Sequence, residues 1–121
     1  MAGEIVHVEF LSQDADRAQR FWSGLFGWEF GGGMPEMDYR MAQTSPGAGA
    51  AIYATEDRDG HPKYYFNTDD IEASTAKVRE LGGEAGAKQP VPGHGWFAVC
   101  SDSEGNAFHL WQADDSAGPP T

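Results

Sequence analysis

The feature that most constrains this chain is an internal repeat with an offset of 56 residues. The matched positions are Phe10 with Phe66, Asp14 with Asp70, Asp16 with Glu72, Trp22 with Val78, Leu25 with Leu81, and Gly27 with Gly83. Each match has a structural role, as a strand end, helix cap, first-turn acid, buried stripe or helix stop. Because a single unit would leave one face of its sheet uncovered, we expect two units to close a core or a cavity together.

The first half of the repeat predicts a strand followed by a helix. Segment 4–11 is rich in β-branched and aromatic residues, as strands are. Asp14 is a suitable N-cap, and Gly27 is a suitable helix stop. The apolar stripe of the helix consists of Ala18, Phe21, Trp22 and Leu25. Further strands are predicted over 28–30, 38–43 and 50–54.

The second half predicts a strand over 63–67 and then a helix. Asp69 and Glu72 have the spacing of a capping box, and Gly82 with Gly83 ends the helix. Two more strands are predicted over 96–100 and 106–112. Extending the repeat gives one strand-helix-strand-strand-strand module over about 4–55 and another over about 62–112. Both belong to a single domain at 1–113, and the polar segment 114–121 is expected to be a flexible tail.

Composition and charge narrow the possible partners and the compartment. The net charge of -11 argues against nucleic acid and anionic membrane, since binding them requires clustered Lys and Arg. The acidity fits a solvated surface, or a pocket that attracts a cationic ligand. The single cysteine, Cys100, excludes an internal disulfide and is expected to be a buried strand residue. With no apolar segment of membrane length and no secretion signal, a soluble cytoplasmic protein is expected.

Three segments resemble the vicinal-oxygen-chelate superfamily, which includes glyoxalases, bleomycin-resistance proteins and dioxygenases. Segment 14–30, with the core Phe-Trp-Ser-Gly-Leu-Phe-Gly-Trp, is similar to its first helix and turn. Segment 69–83 is similar to its second helix, and segment 102–108 to the turn into its last strand. The resemblance implies an α+β fold in which two βαβββ modules form a curved mixed sheet around one cavity. It does not identify a reaction, because this superfamily includes isomerases, dioxygenases, thiol transferases and plain binding proteins.

The resemblance also implies four positions that hold a metal in the metal-dependent members. Those positions are occupied here by His7, Tyr53, Lys63 and His109. Lys63 cannot coordinate a cation and Tyr53 is a rare ligand, so Glu9 or Glu56 would have to complete a site for Ni, Zn, Mn or Fe. The alternative is a polar cavity floor, in which His7 and His109 form hydrogen bonds with Glu9, Tyr53 or a ligand.

The same residues allow chemistry without a metal. His7 or His109, paired with Glu9, could act as a general base near neutral pH. Lys63 could stabilise an oxyanion. The candidate catalytic residues are therefore His7, Glu9, Lys63 and His109.

Three functional hypotheses follow from this incomplete set of ligands. The favoured one is a small-molecule-binding protein, such as a drug-sequestering protein of the bleomycin-resistance kind. The others are a metal-dependent lyase, isomerase or dioxygenase, and a metal-free enzyme that modifies a small metabolite. The main candidates for ligand contact are Tyr53, Tyr65, Trp96 and Trp111, with Trp22, Trp28 and Tyr39 as further aromatic candidates. The resemblance further implies a homodimer.

Overall fold

The computed structural model describes residues 3–32, 37–56 and 62–118. The chain divides into two compact units, one formed by residues 6–63 and the other by residues 64–121 with residues 1–5. These units follow the two halves of the repeat and are called module one and module two below.

Module one is built from β1 (Ile5–Ser12), α1 (Ala15–Phe26), β2 (Tyr39–Ser45) and β3 (Ala48–Ala54). Strand β3 lies in the middle of its sheet, parallel to β1 and antiparallel to β2. The Asp14 carboxylate accepts a hydrogen bond from the backbone N–H of Arg17 at 3.0 Å, which confirms the predicted N-cap. Gly27 ends the helix in the left-handed conformation, with φ of 73°.

Helix α1 packs on one face of this sheet, where an aromatic contact joins it to β1. The Phe10 ring stacks on Trp22 with 4.6 Å between ring centroids. Ile52 of β3 is fully buried, and Ala50, two residues before it, is almost fully buried. Since alternate residues of a strand point to opposite faces, the other side chains of β1 and β3 lie on the face away from the helix.

The strand predicted at 28–30 does not form. The backbone pairing in this region is limited to an isolated bridge between Gly31 and Met41. The rings of Trp28 and Phe30 instead extend the aromatic cluster of α1, with centroid distances of 5.4 Å from Trp22 to Trp28 and 6.3 Å from Trp28 to Phe30. The aromatic composition that suggested a strand is therefore explained by ring packing.

Module two contains one helix and five strands. They are β4 (Lys63–Asn67), α2 (Ile71–Glu80), β5 (Glu84–Ala85), β6 (Gln89–Val91), β7 (Gly95–Ser101) and β8 (Ala107–Ala113). Strand β8 pairs in parallel with β4 and antiparallel with β7, while β5 and β6 pair with different parts of β7. Each module thus combines one helix with a mixed sheet, which confirms the predicted α+β class and two-module organisation.

The core of module two lies between α2 and one face of this sheet. Its buried members are Ile71, Ala98, Cys100 and Leu110. Cys100 is therefore the buried strand residue that the sequence predicts. The N-cap of α2 is Asp70, whose side chain accepts a hydrogen bond from the Ala73 N–H at 3.1 Å, so the predicted capping box starting at Asp69 is wrong. Asp70 is the residue that matches the Asp14 cap in the repeat.

Residues 114–118, the described part of the segment after β8, make two contacts with module two. The Asp114 carboxylate accepts a hydrogen bond from the Trp96 indole at 3.0 Å. Ala117 is buried, and its carbonyl accepts a hydrogen bond from the Gly93 N–H at 2.7 Å.

Candidate functional site

The sheet of module one has an open face, on the side away from α1. Strand register places His7 beside Gly49, Glu9 beside Ala51, and Leu11 beside Tyr53. Tyr53 is in turn paired with Tyr39 of β2. Because residues paired across neighbouring strands point to the same face, these side chains share one surface. Two predicted site residues of β1, His7 and Glu9, and one of β3, Tyr53, are therefore brought to the same face.

The centre of this face is a hydrogen bond between two aromatic side chains. The His7 Nε2 and Tyr39 Oη atoms are 2.9 Å apart, and both residues are partly buried. The Tyr39 ring also packs at 5.9 Å from the Tyr53 ring. The position of Tyr39 shows how a residue of β2, 32 positions away in sequence, reaches a residue of β1.

The residues of β3 that share this face near His7 are small. A Cβ atom placed on Gly49 would lie 3.7 Å from His7 Nδ1 and 3.1 Å from the Ala42 carbonyl oxygen. The next residue of β3 on the same face, Ala51, is fully buried. A larger residue at position 49 would fill the space beside the imidazole.

Burial lowers the pKa of His7, because removing the ring from water disfavours its charged form. The imidazole is therefore neutral near pH 7, with one nitrogen able to donate a hydrogen bond and the other able to accept one or to take a proton.

This shift of the His7 pKa predicts a pH-dependent stability. The unfolded chain binds a proton on this histidine near its ordinary pKa of about 6.5, whereas the folded chain resists it. The contribution to stability is thus complete above about pH 6.5 and is lost as the pH falls through the lower, folded-state pKa.

We expect urea unfolding to show a steeper loss of stability between pH 7 and pH 5 for the native chain than for His7→Gln. His94→Gln, at an exposed position, is the control. Equal slopes for the native chain and His7→Gln would contradict the prediction.

Module two has a corresponding open face, which is richer in aromatic rings. His109 of β8 pairs in register with Tyr65 of β4 and with Val99 of β7. The His109 ring meets the Tyr65 ring edge-on at 4.6 Å and lies 6.0 Å from the Phe97 ring. Trp111 follows His109 by two residues and is paired with Phe97, so it shares this face.

Trp96, which the sequence suggests as a ligand contact, lies on the opposite side of this sheet. It packs against the buried core beneath α2, and the Lys88 ammonium lies 4.3 Å from the centre of its ring. Together with the hydrogen bond from its indole to Asp114, these contacts give Trp96 a structural role.

The described residues do not fit the predicted metal site. No group of three or more His, Cys, Asp or Glu side chains in the ranges 3–32, 37–56 and 62–118 is arranged to hold a metal ion. Glu56 is exposed after the end of β3. The His7 Nε2 atom already lies within hydrogen-bonding distance of Tyr39. Since a protein metal site of this kind needs about three protein ligands, the described residues provide too few.

Module one has a second polar feature, which no sequence motif indicates. A cleft of about 250 Å³ is lined by Asp16, Gln19, Arg20, Ser23 and Arg40. The Arg40 guanidinium contacts Asp38 at 2.7 Å and Asp16 at 2.9 Å, and both contacts raise its pKa further. Because these partners neutralise Arg40, this residue links β2 to α1 and adds no unpaired charge of its own to the cleft.

Comparisons with known proteins agree with the fold. A family model described as a glyoxalase-like domain matches residues 6–111. A glyoxylase-like domain-containing protein from Didymella fabae is 30% identical over 90 residues, covering 68% of this chain and 70% of that protein.

Solved structures give the same result at lower identity. A glyoxalase/bleomycin resistance protein/dioxygenase superfamily member from Vibrio splendidus 12B01 has a TM-score of 0.69 and 17% identity, covering 93% of this chain and 99% of that chain. Methylmalonyl-CoA epimerase from Mycobacterium tuberculosis has a TM-score of 0.68 and 15% identity, covering 93% of this chain and 88% of that chain. At such identities the likeness concerns the fold alone. Among the described residues, no helix is long and apolar enough to cross a membrane.

Proposed function

The chain belongs to the glyoxalase-like domain family, and from this membership we propose that it binds a small organic molecule on the open face of module one. The observation that carries the proposal is the neutral, partly buried His7 imidazole, held by Tyr39 above Gly49 and Ala51. Aromatic walls combined with a few placed polar groups are typical of small-molecule sites.

The chemistry of this face indicates which ligands it would take. His7 and Tyr39 offer hydrogen-bonding groups, and the Tyr53 ring adds a flat apolar wall. Glu9, on the same strand face as His7, and the net charge of -11 favour a ligand that carries a positive charge. Such a ligand fits sequestration of a cationic drug or metabolite, which is the function the sequence favours.

We propose the open face of module two as a separate ligand-contact surface. Tyr65, His109 and Trp111 supply it with aromatic area and one further imidazole. Trp96 is not included, because its ring faces the core beneath α2.

A metal-free enzyme is the second candidate, and the state of His7 favours it. An unprotonated imidazole within 2.9 Å of a phenol hydroxyl could remove a proton from a bound substrate. Glu9, Lys63 and His109 are the other candidate catalytic residues. Solved structures with this fold include methylmalonyl-CoA epimerase in complex with methylmalonyl-CoA, which shows that the fold can hold a reacting small molecule.

The test begins with what the purified protein retains. After denaturation, mass spectrometry of the released compounds identifies the ligand, and elemental analysis of the same sample measures Ni, Zn, Mn and Fe. Recovery of an added compound unchanged supports sequestration, whereas conversion to a product supports the enzyme. A stoichiometric metal that is lost in the double variant His7→Ala/His109→Ala would establish the metal-dependent alternative and overturn both metal-free proposals.

We expect two substitutions to weaken binding of the identified ligand by different amounts. His7→Phe keeps a ring but removes both nitrogens and should raise Kd at least about tenfold, the cost of leaving one polar ligand group unpaired. Tyr39→Phe removes only the hydroxyl that contacts His7 and should raise Kd by a smaller factor. Isothermal titration calorimetry measures both.

Tyr64→Phe is the matched control for these titrations. Tyr64 is 41% exposed and lies on the other face of β4 from Tyr65. An unchanged Kd in His7→Phe would remove the open face of module one as the binding site.

A further inference from the structure

Helix α1 exposes more apolar surface than its packing in this chain explains. Phe21, Leu25 and Phe26 are 60%, 57% and 58% exposed and lie within two turns of the helix. Single exposed apolar residues are ordinary, but a contiguous group of large ones marks a surface that binds something. This group is called the α1 patch below.

The rings of the α1 patch are held in place before any partner arrives. The Trp22 ring, fixed against Phe10, contacts Phe21 edge-on at 5.1 Å and lies 6.0 Å from Phe26. The Phe26 ring in turn packs at 5.1 Å from Trp28. A patch already ordered by its neighbours loses little conformational entropy when a partner binds.

Gly24 forms a notch in the middle of this patch. Glycine is among the least favourable residues in a helix interior, so its presence there needs a reason. Nothing in the chain lies within 4 Å of the place where a Cβ of Gly24 would stand, and Gly24 itself is exposed. Neither a tight internal contact nor a left-handed backbone accounts for this glycine. Close approach of a backbone from outside the chain does account for it.

We propose that the α1 patch is the contact surface with a second copy of this chain, in which the two α1 helices cross antiparallel at Gly24. Phe21 and Leu25 supply projections on either side of the notch. Because one helix carries both the projections and the notch, the surface is complementary to itself, as a two-fold symmetric interface requires. The proposal gives a surface to the homodimer that the family resemblance implies, and it does not depend on the ligand-binding proposal.

Charges at the two ends of the α1 patch favour this antiparallel arrangement. Arg20 lies one turn before Gly24, and Glu29 lies just past the end of the helix; both are exposed. Within the part of the chain that the structure describes, neither forms an ion pair. Crossing at Gly24 carries Arg20 of each copy toward the C-terminal end of the other α1. Glu29 and the negative end of the helix dipole lie there, and the last turn of α1 has no basic residue of its own.

The test measures molar mass by sedimentation velocity over a range of concentrations for the full chain. The native chain should dimerise, and Phe21→Ser should raise the dimer dissociation constant at least about tenfold, as loss of one buried aromatic anchor does. Gly24→Ala should weaken the dimer while leaving the folded monomer at least as stable, since the new methyl meets open space within the chain. A merely structural role of Gly24 predicts no change in mass.

Charge reversal and a control variant complete the test. Arg20→Glu should weaken the dimer, and combining it with Glu29→Arg should restore the affinity. Leu81→Ser, at a residue of module two that is 68% exposed, should leave the mass unchanged. A native chain that stays monomeric at about 100 µM, or a dimer that none of the α1 variants weakens, would overturn the proposal. A monomer that instead sediments with lipid vesicles through the α1 patch would overturn it as well.

Discussion

Gly95→Ala is expected to lower the free energy of unfolding by about 2–3 kcal/mol, a cost typical of overpacking, and to displace Trp111 from the open face of module two. A Cβ atom on Gly95 would overlap the Gln112 carbonyl oxygen and approach two Trp111 ring carbons to 2.7 and 2.8 Å. The backbone cannot easily retreat, because β7 is paired with β8 over its whole length. Urea unfolding followed by circular dichroism measures the stability.

The second effect of Gly95→Ala is on Trp111, which belongs to the candidate ligand surface of module two. Trp111 lies over Gly95 because a glycine leaves room for its ring, so the added methyl should change tryptophan fluorescence in the folded state. Gly86→Ala is the matched control, since its Cβ would meet the Val99 carbonyl oxygen at an ordinary 3.5 Å. A Gly95→Ala protein with native stability and native fluorescence would show that the Trp111 ring is not held as described.

The parts of the fold that the sequence predicted are those set by local chemistry. Asp14 caps α1 through a hydrogen bond that depends only on the next few residues, and Gly27 ends it through its own backbone freedom. The repeat even identified the correct cap of α2, Asp70, although the spacing of Asp69 and Glu72 suggested otherwise. The sequence does not locate β5 and β6 individually, since two- and three-residue strands carry too little periodicity to recognise.

The features of the site that the sequence missed depend on register across strands. Residues 96–100 are apolar at nearly every position, so alternation could not show which side chains face α2. The sequence therefore does not distinguish Trp96 from Trp111, although pairing of β7 with β8 puts them on opposite faces. Tyr39 was only one aromatic candidate among several. Its hydrogen bond to His7 follows from the pairing of β2 with β3 and of β3 with β1, which no local pattern encodes.

The two tryptophans provide a direct test of this assignment of faces. Trp96→Ala is expected to lower the free energy of unfolding by about 3–4 kcal/mol, because the ring packs on the core of module two. The change also removes the indole hydrogen bond to Asp114 and the stacked Lys88 ammonium. Both tryptophans are partly buried, but Trp111 lies outside that core, so Trp111→Ala should cost less, about 1–2 kcal/mol.

The two substitutions should rank in the opposite order for ligand binding, with Trp111→Ala having the larger effect on Kd. If the open face of module two contacts the ligand, Trp111→Ala raises Kd at least about tenfold through loss of aromatic contact area. Trp96→Ala, titrated at a temperature where it is still fully folded, should change Kd by less than about threefold, because the Trp96 ring lies on the α2 side of the sheet.

Equal weakening by both substitutions would mean that binding reports the general stability of module two. A larger effect from Trp96→Ala would place the ligand on the helix side and contradict the proposed surface. Since the two residues are of the same type and lie on adjacent strands, this comparison separates the face of the sheet from the chemistry of the side chain.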